Sequence, residues 1–206
     1  MSKLKNRFSL KDVEVMSKEN CHSGFLNIEK LHLKHRLFEG GWSEVLQREL
    51  IVKDEAVGIL LFDSFRDEVV MVRQFRVGVL DKQVIPWMLE LVAGMVGEGE
   101  STEQVAIRET REESGCVPIE LVKIFEYFNS PGTSNEKITL FCGRVDASCV
   151  EGVHGLTEEH EDIEVVVLPF EEALAGVESG LINNAMSIIA LQWLKLHKAK
   201  LLDRWH

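Results

Sequence analysis

Short apolar runs alternate with polar positions along most of the chain, the pattern of β-strands that bury one face or both. Five such runs follow residue 55, and turn-forming segments such as Ser130-Pro131-Gly132 separate them. The predicted strands are residues 56–62, 68–75, 121–128, 137–145 and 163–168. A β-sheet is therefore expected at the centre of the fold.

The N-terminal quarter of the chain predicts a separate sheet element. Residues 26–52 alternate as short strands, and Glu39-Gly40-Gly41 interrupts them where a hairpin turn is expected. We expect a small antiparallel N-terminal β-sheet element in residues 1–53 and the main domain in residues 54–206.

Two segments have the periodicity of helices instead. Residues 102–114 follow Ser101, an N-cap residue whose capping-box partner is Gln104, and Gly115 can take the left-handed conformation that ends a helix. Residues 184–200 carry apolar side chains at helical spacing. Together with the strands they predict an α+β or α/β sandwich, not a helix bundle.

Composition and charge exclude several classes of protein. The 206 residues have a formal net charge of −11 and no basic cluster, which argues against nucleic acid as a partner. The apolar runs are too short to span a membrane, and the N-terminus has no apolar signal core. The four cysteines, Cys21, Cys116, Cys142 and Cys149, have no spacing typical of zinc sites or disulfide frameworks, so a cytoplasmic location is expected.

Three glutamates crowd the second half of the first predicted helix. Glu109, Glu112 and Glu113 stand at i, i+3 and i+4, where like charges repel. Arg108 can pair with Glu112, which leaves Glu109 and Glu113 without an obvious cation. Oxygen ligands without histidine or cysteine favour Mg²⁺, or Mn²⁺ as an alternative, over zinc. For the glutamates alone, a solvated acidic helix face would be the better explanation.

The residues at fixed spacing around these glutamates are Gly94, Glu100, Arg108, Glu109, Glu112, Glu113 and Gly115. This spacing resembles the signature of the Nudix hydrolases. Thr110 and Cys116 stand where that family has aliphatic residues, but every carboxylate is in place. The resemblance implies an α/β/α sandwich with a mixed sheet, and a metal-dependent attack of water on a diphosphate.

The same resemblance implies roles for the acidic residues. Glu159, in the acidic loop 157–162, would be the general base, and Glu112 is the second candidate catalytic residue. Glu100 and Glu112 are either further metal ligands or groups that hold the ligands in place, and Arg108 orients the glutamates by salt bridges. The metal ligands implied are the backbone carbonyl of Ala93 and the carboxylates of Glu109, Glu113, Glu100 and Glu161.

Segments outside the signature narrow the resemblance to bacterial ADP-ribose pyrophosphatases. The position of Pro131 after the signature is one of them, and similarity extends over nearly the whole chain. It implies a homodimer whose N-terminal sheets contact the partner. The substrate-binding residues implied are Phe25 for adenine stacking, Arg48 and Arg76 for phosphate or ribose, and Glu136 for a polar contact. Each has an ordinary alternative: surface salt bridges for the arginines, a buried strand position for Phe25 and a solvated loop charge for Glu136.

Three functions follow from these residues. The first is hydrolysis of ADP-ribose to AMP and ribose 5-phosphate. The second keeps the chemistry but acts on other nucleoside diphosphate derivatives, such as ADP-sugars or NADH. The third is a non-catalytic ADP-ribose sensor, which the complete set of signature carboxylates disfavours.

Overall fold

The computed structural model describes residues 4–148 and 150–205, which divide into two compact units. The described residues of one unit are 4–54 and 128–136, and those of the other are 55–127, 137–148 and 150–205. Residues 1–3 of the predicted N-terminal element, Cys149 and His206 lie outside the described residues.

The first unit is built on a three-stranded antiparallel sheet. Its strands β1 (Val13–Ser23), β2 (Asn27–His35) and β3 (Leu46–Val52) lie in that order. Gly40 and Gly41 have φ of 100° and 79° in the turn between β2 and β3, a conformation that favours glycine. The predicted small sheet and its hairpin turn are confirmed. Strand β1 was not predicted, because every one of its residues is exposed and the alternation that begins with Val13 and Val15 does not continue past Met16.

The second unit contains a mixed eight-stranded sheet. Its strands are β4 (Ala56–Asp63), β5 (Glu68–Phe75), β6 (Trp87–Glu90), β7 (Val92–Met95), β8 (Glu120–Phe128), β9 (Lys137–Arg144), β10 (Val153–His154) and β11 (Ile163–Pro169). In the sheet they follow the order β10, β11, β5, β4, β9 and β8, while β6 pairs with β5 and β7 with β4. The β4–β9 pair is parallel, and the β4–β5 and β5–β11 pairs are antiparallel.

Three helices complete this unit. Helix α1 (Thr102–Ser114) has the predicted bounds, and α3 (Ala185–Trp205) continues beyond the predicted end at residue 200. Helix α2 (Phe170–Ser179) was not predicted, although Phe170 and Leu174 stand at helical spacing and are buried. None of the helices in the described part of the chain is long and apolar enough to cross a membrane.

Alternation along the central strand produces two separate cores. Odd-numbered residues of β4, such as Ile59, pack with Val105 of α1, and even-numbered residues, such as Leu60, pack in the core that contains Leu191 of α3. A Cβ at Gly58 would collide with the Met186 sulfur, so α3 lies directly against β4 there. Helices thus cover both faces of the sheet, and the predicted sandwich is confirmed.

Candidate active site

Local sequence signals fix both ends of α1 and thereby place its glutamates. The Ser101 hydroxyl accepts a hydrogen bond from the Gln104 N–H at 3.2 Å, and the Gln104 side chain accepts one from the Ser101 N–H at 2.8 Å. At the other end Gly115 has φ of 69°, and its N–H donates to the Arg111 carbonyl. The predicted capping box and left-handed stop are confirmed.

Arg108 is the centre of a group of carboxylates on this helix. Its Nη1 lies 2.7 Å from Glu109 Oε1 and 3.0 Å from Glu112 Oε2. Its Nε lies 3.0 Å from Glu100 Oε1, and these contacts raise the pKa of the guanidinium. Glu109 therefore has a cation partner that the sequence analysis did not assign to it, while Glu113 has none among the described residues. The adjacent arginine folds back along the helix and reaches Glu109, a contact that helical spacing alone does not predict.

Glu113 is a buried carboxylate with little compensation. It is 3% exposed, and the Ala93 N–H donates to its Oε2 at 3.1 Å. No basic side chain of the described residues forms an ion pair with it. Burial raises the Glu113 pKa to about 8, and the charges of Glu109 and Glu161 act in the same direction. This carboxylate is the position in the cluster that most needs a counter-charge.

The side chain of Glu109, on α1, packs against Gly94 of β7. A Cβ at Gly94 would collide with the Glu109 carboxylate, so only glycine lets the strand approach the helix this closely. Burial raises the Glu109 pKa to about 7, opposed by the charge and hydrogen bond of Arg108. The signature glycine therefore makes room for one of the predicted metal ligands.

The acidic loop is tied to the end of α1. The Gly155 N–H donates to the Glu112 carbonyl at 3.1 Å, and Glu161 Oε2 accepts from the Leu156 N–H at 3.0 Å. The charge of Glu161 raises the pKa values of both Glu109 and Glu113, so these three predicted ligands lie in one region. Glu159 is exposed at the end of a short 3₁₀ turn in this loop.

The chemistry of this cluster fits a divalent cation. Buried carboxylates with raised pKa values are stabilised by a bound positive charge, and hard oxygen donors favour Mg²⁺ or Mn²⁺. Across residues 4–148 and 150–205 no three acidic, histidine or cysteine side chains already converge as a metal site. The ligand set of Ala93, Glu100, Glu109, Glu113 and Glu161 thus stays a prediction.

Arg76 lies in the same unit as the cluster. Its Nε is 2.6 Å from Glu90 Oε2, so the alternative of a salt bridge exists alongside the predicted substrate contact. Its charge also partly offsets the effect of burial on the Glu113 pKa. Glu90 itself was not singled out from the sequence, where its only signal is its place in the strand leading to Gly94.

The other predicted substrate contacts belong to the first unit. Phe25 is 97% exposed in the turn between β1 and β2, so the alternative of a buried strand residue is wrong. Arg48, on β3, is exposed and donates to the Gln47 carbonyl at 2.7 Å.

Glu136 is held in place within its unit. It accepts hydrogen bonds from Lys53 Nζ at 3.1 Å and from Asn129 Nδ2 at 2.8 Å. Its side chain is 17% exposed, so it is not a freely solvated loop charge. Contact of these residues with substrate stays a prediction.

Comparison with known proteins identifies relatives over nearly the whole chain. A family model described as the NUDIX domain matches residues 52–188. The chain is 42% identical to an ADP-ribose pyrophosphatase of Escherichia coli (strain K12), covering 96% of this chain and 95% of that protein. It is 40% identical to an ADP-ribose pyrophosphatase of Haemophilus influenzae, covering 96% and 93%. A crystal structure described as an ADP compounds hydrolase has the same fold, with a TM-score of 0.72 at 21% identity over 94% of this chain and 98% of that one.

Proposed function

Because this chain belongs to the NUDIX domain family, we propose that it hydrolyses the diphosphate bond of ADP-ribose to give AMP and ribose 5-phosphate. The buried Glu113 carboxylate within the family signature, which has no ion-pair partner among the described residues, is the observation that carries the reaction type. The substrate is supported by relatives named ADP-ribose pyrophosphatase, which match at 40–42% identity over nearly the full length.

The cofactor we propose is Mg²⁺, with Mn²⁺ as the alternative. The Ala93 carbonyl and the carboxylates of Glu109, Glu113 and Glu161 would hold it. When bound, a divalent ion neutralises charge on the phosphate oxygens and lowers the pKa of a nearby water. Glu100 is the weakest of the proposed ligands, because both of its oxygens already accept hydrogen bonds from Arg108.

The remaining catalytic roles are proposed for two glutamates and an arginine. Glu159 is proposed as the general base, because it is an exposed carboxylate on a loop fastened to the end of α1. Glu112 is proposed as the second catalytic residue, oriented by Arg108. Arg108 therefore acts as a positioning residue that fixes the directions of three glutamates.

The residues proposed for substrate recognition are those that the resemblance implies, Phe25, Arg48, Arg76 and Glu136. Phe25 is suited to stacking because its ring is almost fully exposed. Arg48 and Arg76 supply positive charge for phosphate or ribose, and Glu136 supplies a carboxylate held by Lys53. Residues 1–53 would form the dimerisation and substrate-contact element of a homodimer, and residues 54–206 the hydrolase domain.

A cytoplasmic location is proposed on the basis of the cysteines. The three that the structure describes, Cys21, Cys116 and Cys142, are all free thiols. Free thiols are usual in a reducing compartment.

The proposal is tested by AMP release from ADP-ribose with Mg²⁺, with EDTA, and in Glu113→Gln with Mg²⁺. We expect turnover that EDTA abolishes and that the variant lowers by at least about a hundredfold, as for loss of a group that stabilises transition-state charge. Glu103→Gln is the matched control, because Glu103 is an exposed glutamate in the first turn of the same helix.

Two results would contradict this function. Tight ADP-ribose binding without turnover in Mg²⁺ or Mn²⁺ would favour the sensor. Faster turnover of ADP-sugars or NADH than of ADP-ribose, at equal concentration, would favour the broader nucleoside diphosphate hydrolase.

A further inference from the structure

Gln74, on β5, is a buried amide without a partner. The residue is 8% exposed, and its Nε2 is buried without a hydrogen-bond partner among the residues that the structure describes. Exchanging the amide oxygen and nitrogen would place an unpartnered oxygen there instead, so the deficit does not depend on the assignment. A buried polar group without a hydrogen-bond partner destabilises the free protein, and a bound ligand that supplies the partner removes this cost.

The strand pattern places Gln74 on the face that carries the carboxylates. Val70 and Val72 belong to the core that contains Val105 of α1, and Gln74 is the next residue on that face. Arg76 follows two residues later in extended conformation, so it continues the same face. Gln74 thus stands between the α1 core and an arginine proposed to bind phosphate or ribose.

The Arg76–Glu90 ion pair joins positions on either side of Gln74 in the sheet. In the antiparallel pairing Val72 opposes Glu90 and Gln74 opposes Met88, while the Arg76 N–H donates to the Pro86 carbonyl. A contact between Arg76 and Glu90 therefore spans the Gln74–Met88 pair on that face. Only Nε of Arg76 is engaged by a carboxylate among the described residues, so the guanidinium retains donors for an anionic ligand.

We propose that Gln74 is a further substrate-positioning residue, whose amide N–H donates to a phosphate oxygen of the bound nucleotide when Arg76 turns from Glu90 to the same diphosphate. The inference rests on the proposed function and deepens it. An anionic oxygen is the partner that the amide lacks in the free protein, and the displaced guanidinium opens the way to it.

A purely structural role and this role have opposite consequences for stability. If Gln74 served the fold, replacing it with a nonpolar residue of similar length would lower the melting temperature of the free protein. If its partner is a ligand, Gln74→Met removes an unsatisfied group, so the free protein keeps or gains stability and loses affinity instead.

The test is calorimetric titration with the α,β-methylene analogue of ADP-ribose in Mg²⁺, together with thermal unfolding of the free protein. The bridging CH₂ of this analogue prevents hydrolysis. We expect Gln74→Met to raise the Kd about tenfold or more, as for loss of a hydrogen bond to a charged group, with an unchanged or higher melting temperature. Gln74→Leu provides a second variant should the methionine pack poorly.

Thr139→Val is the matched control. Thr139, on β9, is 1% exposed, and its hydroxyl is likewise buried without a hydrogen-bond partner among the described residues. This variant should leave the Kd unchanged. An unchanged Kd in both Gln74 variants, or a fall in melting temperature without loss of affinity, would overturn the inference while leaving the proposed function intact. Failure of the wild-type protein to bind the analogue would overturn both.

Discussion

At the scale of single residues, the buried Glu113 carboxylate makes stability depend on pH. Its folded-state pKa is about 8 against an ordinary 4.5, so between these values the folded protein holds a proton that the unfolded chain has lost. The free energy of unfolding of the metal-free protein should therefore fall as pH rises from 5 to 8, and Glu109, with a pKa of about 7, adds to the fall.

Urea denaturation in EDTA, across that pH range, measures this effect. Because Glu113→Gln cannot ionise, its stability relative to wild type should increase steadily from pH 5 to pH 8. A difference that does not vary with pH would show that Glu113 titrates normally. Adding Mg²⁺ should restore wild-type stability at pH 8, since the bound ion compensates the same charge.

Gly94 provides a second prediction at this scale. Gly94→Ala would push its methyl group into the Glu109 carboxylate, so that Glu109 must leave its position between β7 and α1. We expect a loss of kcat/KM for ADP-ribose of about a hundredfold, on the order seen when a catalytic group is misplaced by about 1 Å. Gly78→Ala is the control, because a Cβ at Gly78 meets nothing within 4 Å. Equal activity of the two variants would contradict the prediction.

The sequence reveals single residues when their spacing itself carries the chemistry. Glu109, Glu112 and Glu113 were recognisable because three carboxylates share one side of a helix. Gln74 was not, because an ordinary glutamine in a strand gives no sign that its amide will be buried without a partner. Such features arise from tertiary packing, which no local pattern encodes.

At the scale of elements, the capping box of α1 should be measurable. Ser101→Ala removes the acceptor for the Gln104 N–H and should lower the free energy of unfolding by about 1 kcal/mol. Ser9→Ala is the comparison, since Ser9 caps only a three-residue turn with no buried residue. Chemical denaturation should show a clearly smaller change there. Equal losses would mean that the cap of α1 contributes nothing specific.

Helices and strands were predictable from the sequence where their apolar periodicity extended over enough residues to be recognised. Helix α1 and the strands β4, β5, β8, β9 and β11 have at least seven residues each and a recognisable apolar pattern. Strands β6, β7 and β10 have four residues or fewer, too few for an alternation to stand out. Strand β1 is exposed along its whole length and has no sustained apolar alternation. It is a strand because its backbone pairs with β2, not because its side chains are buried.

At the scale of the whole molecule, the net charge of −11 predicts a response to salt. Self-repulsion among surplus carboxylates disfavours the compact state, and ions screen it. The melting temperature should therefore rise between 20 and 200 mM NaCl, values chosen to span the screening range, in wild type and Glu113→Gln alike. At matched ionic strength Mg²⁺ should add a further increase in wild type only. An equal Mg²⁺ effect in both proteins would point to screening without a specific site.

The central sheet of the second unit separates two tasks. On the α1 side, β7 contacts the carboxylates of Glu109 and Glu113, whereas the face under α3 is filled by apolar side chains. Neighbouring residues of one strand, such as Ile59 and Leu60, therefore belong to different cores. Substitutions in the core under α3 can therefore change the stability of the protein without changing its active site. Substitutions under α1 can change catalytic activity while the core under α3 stays the same.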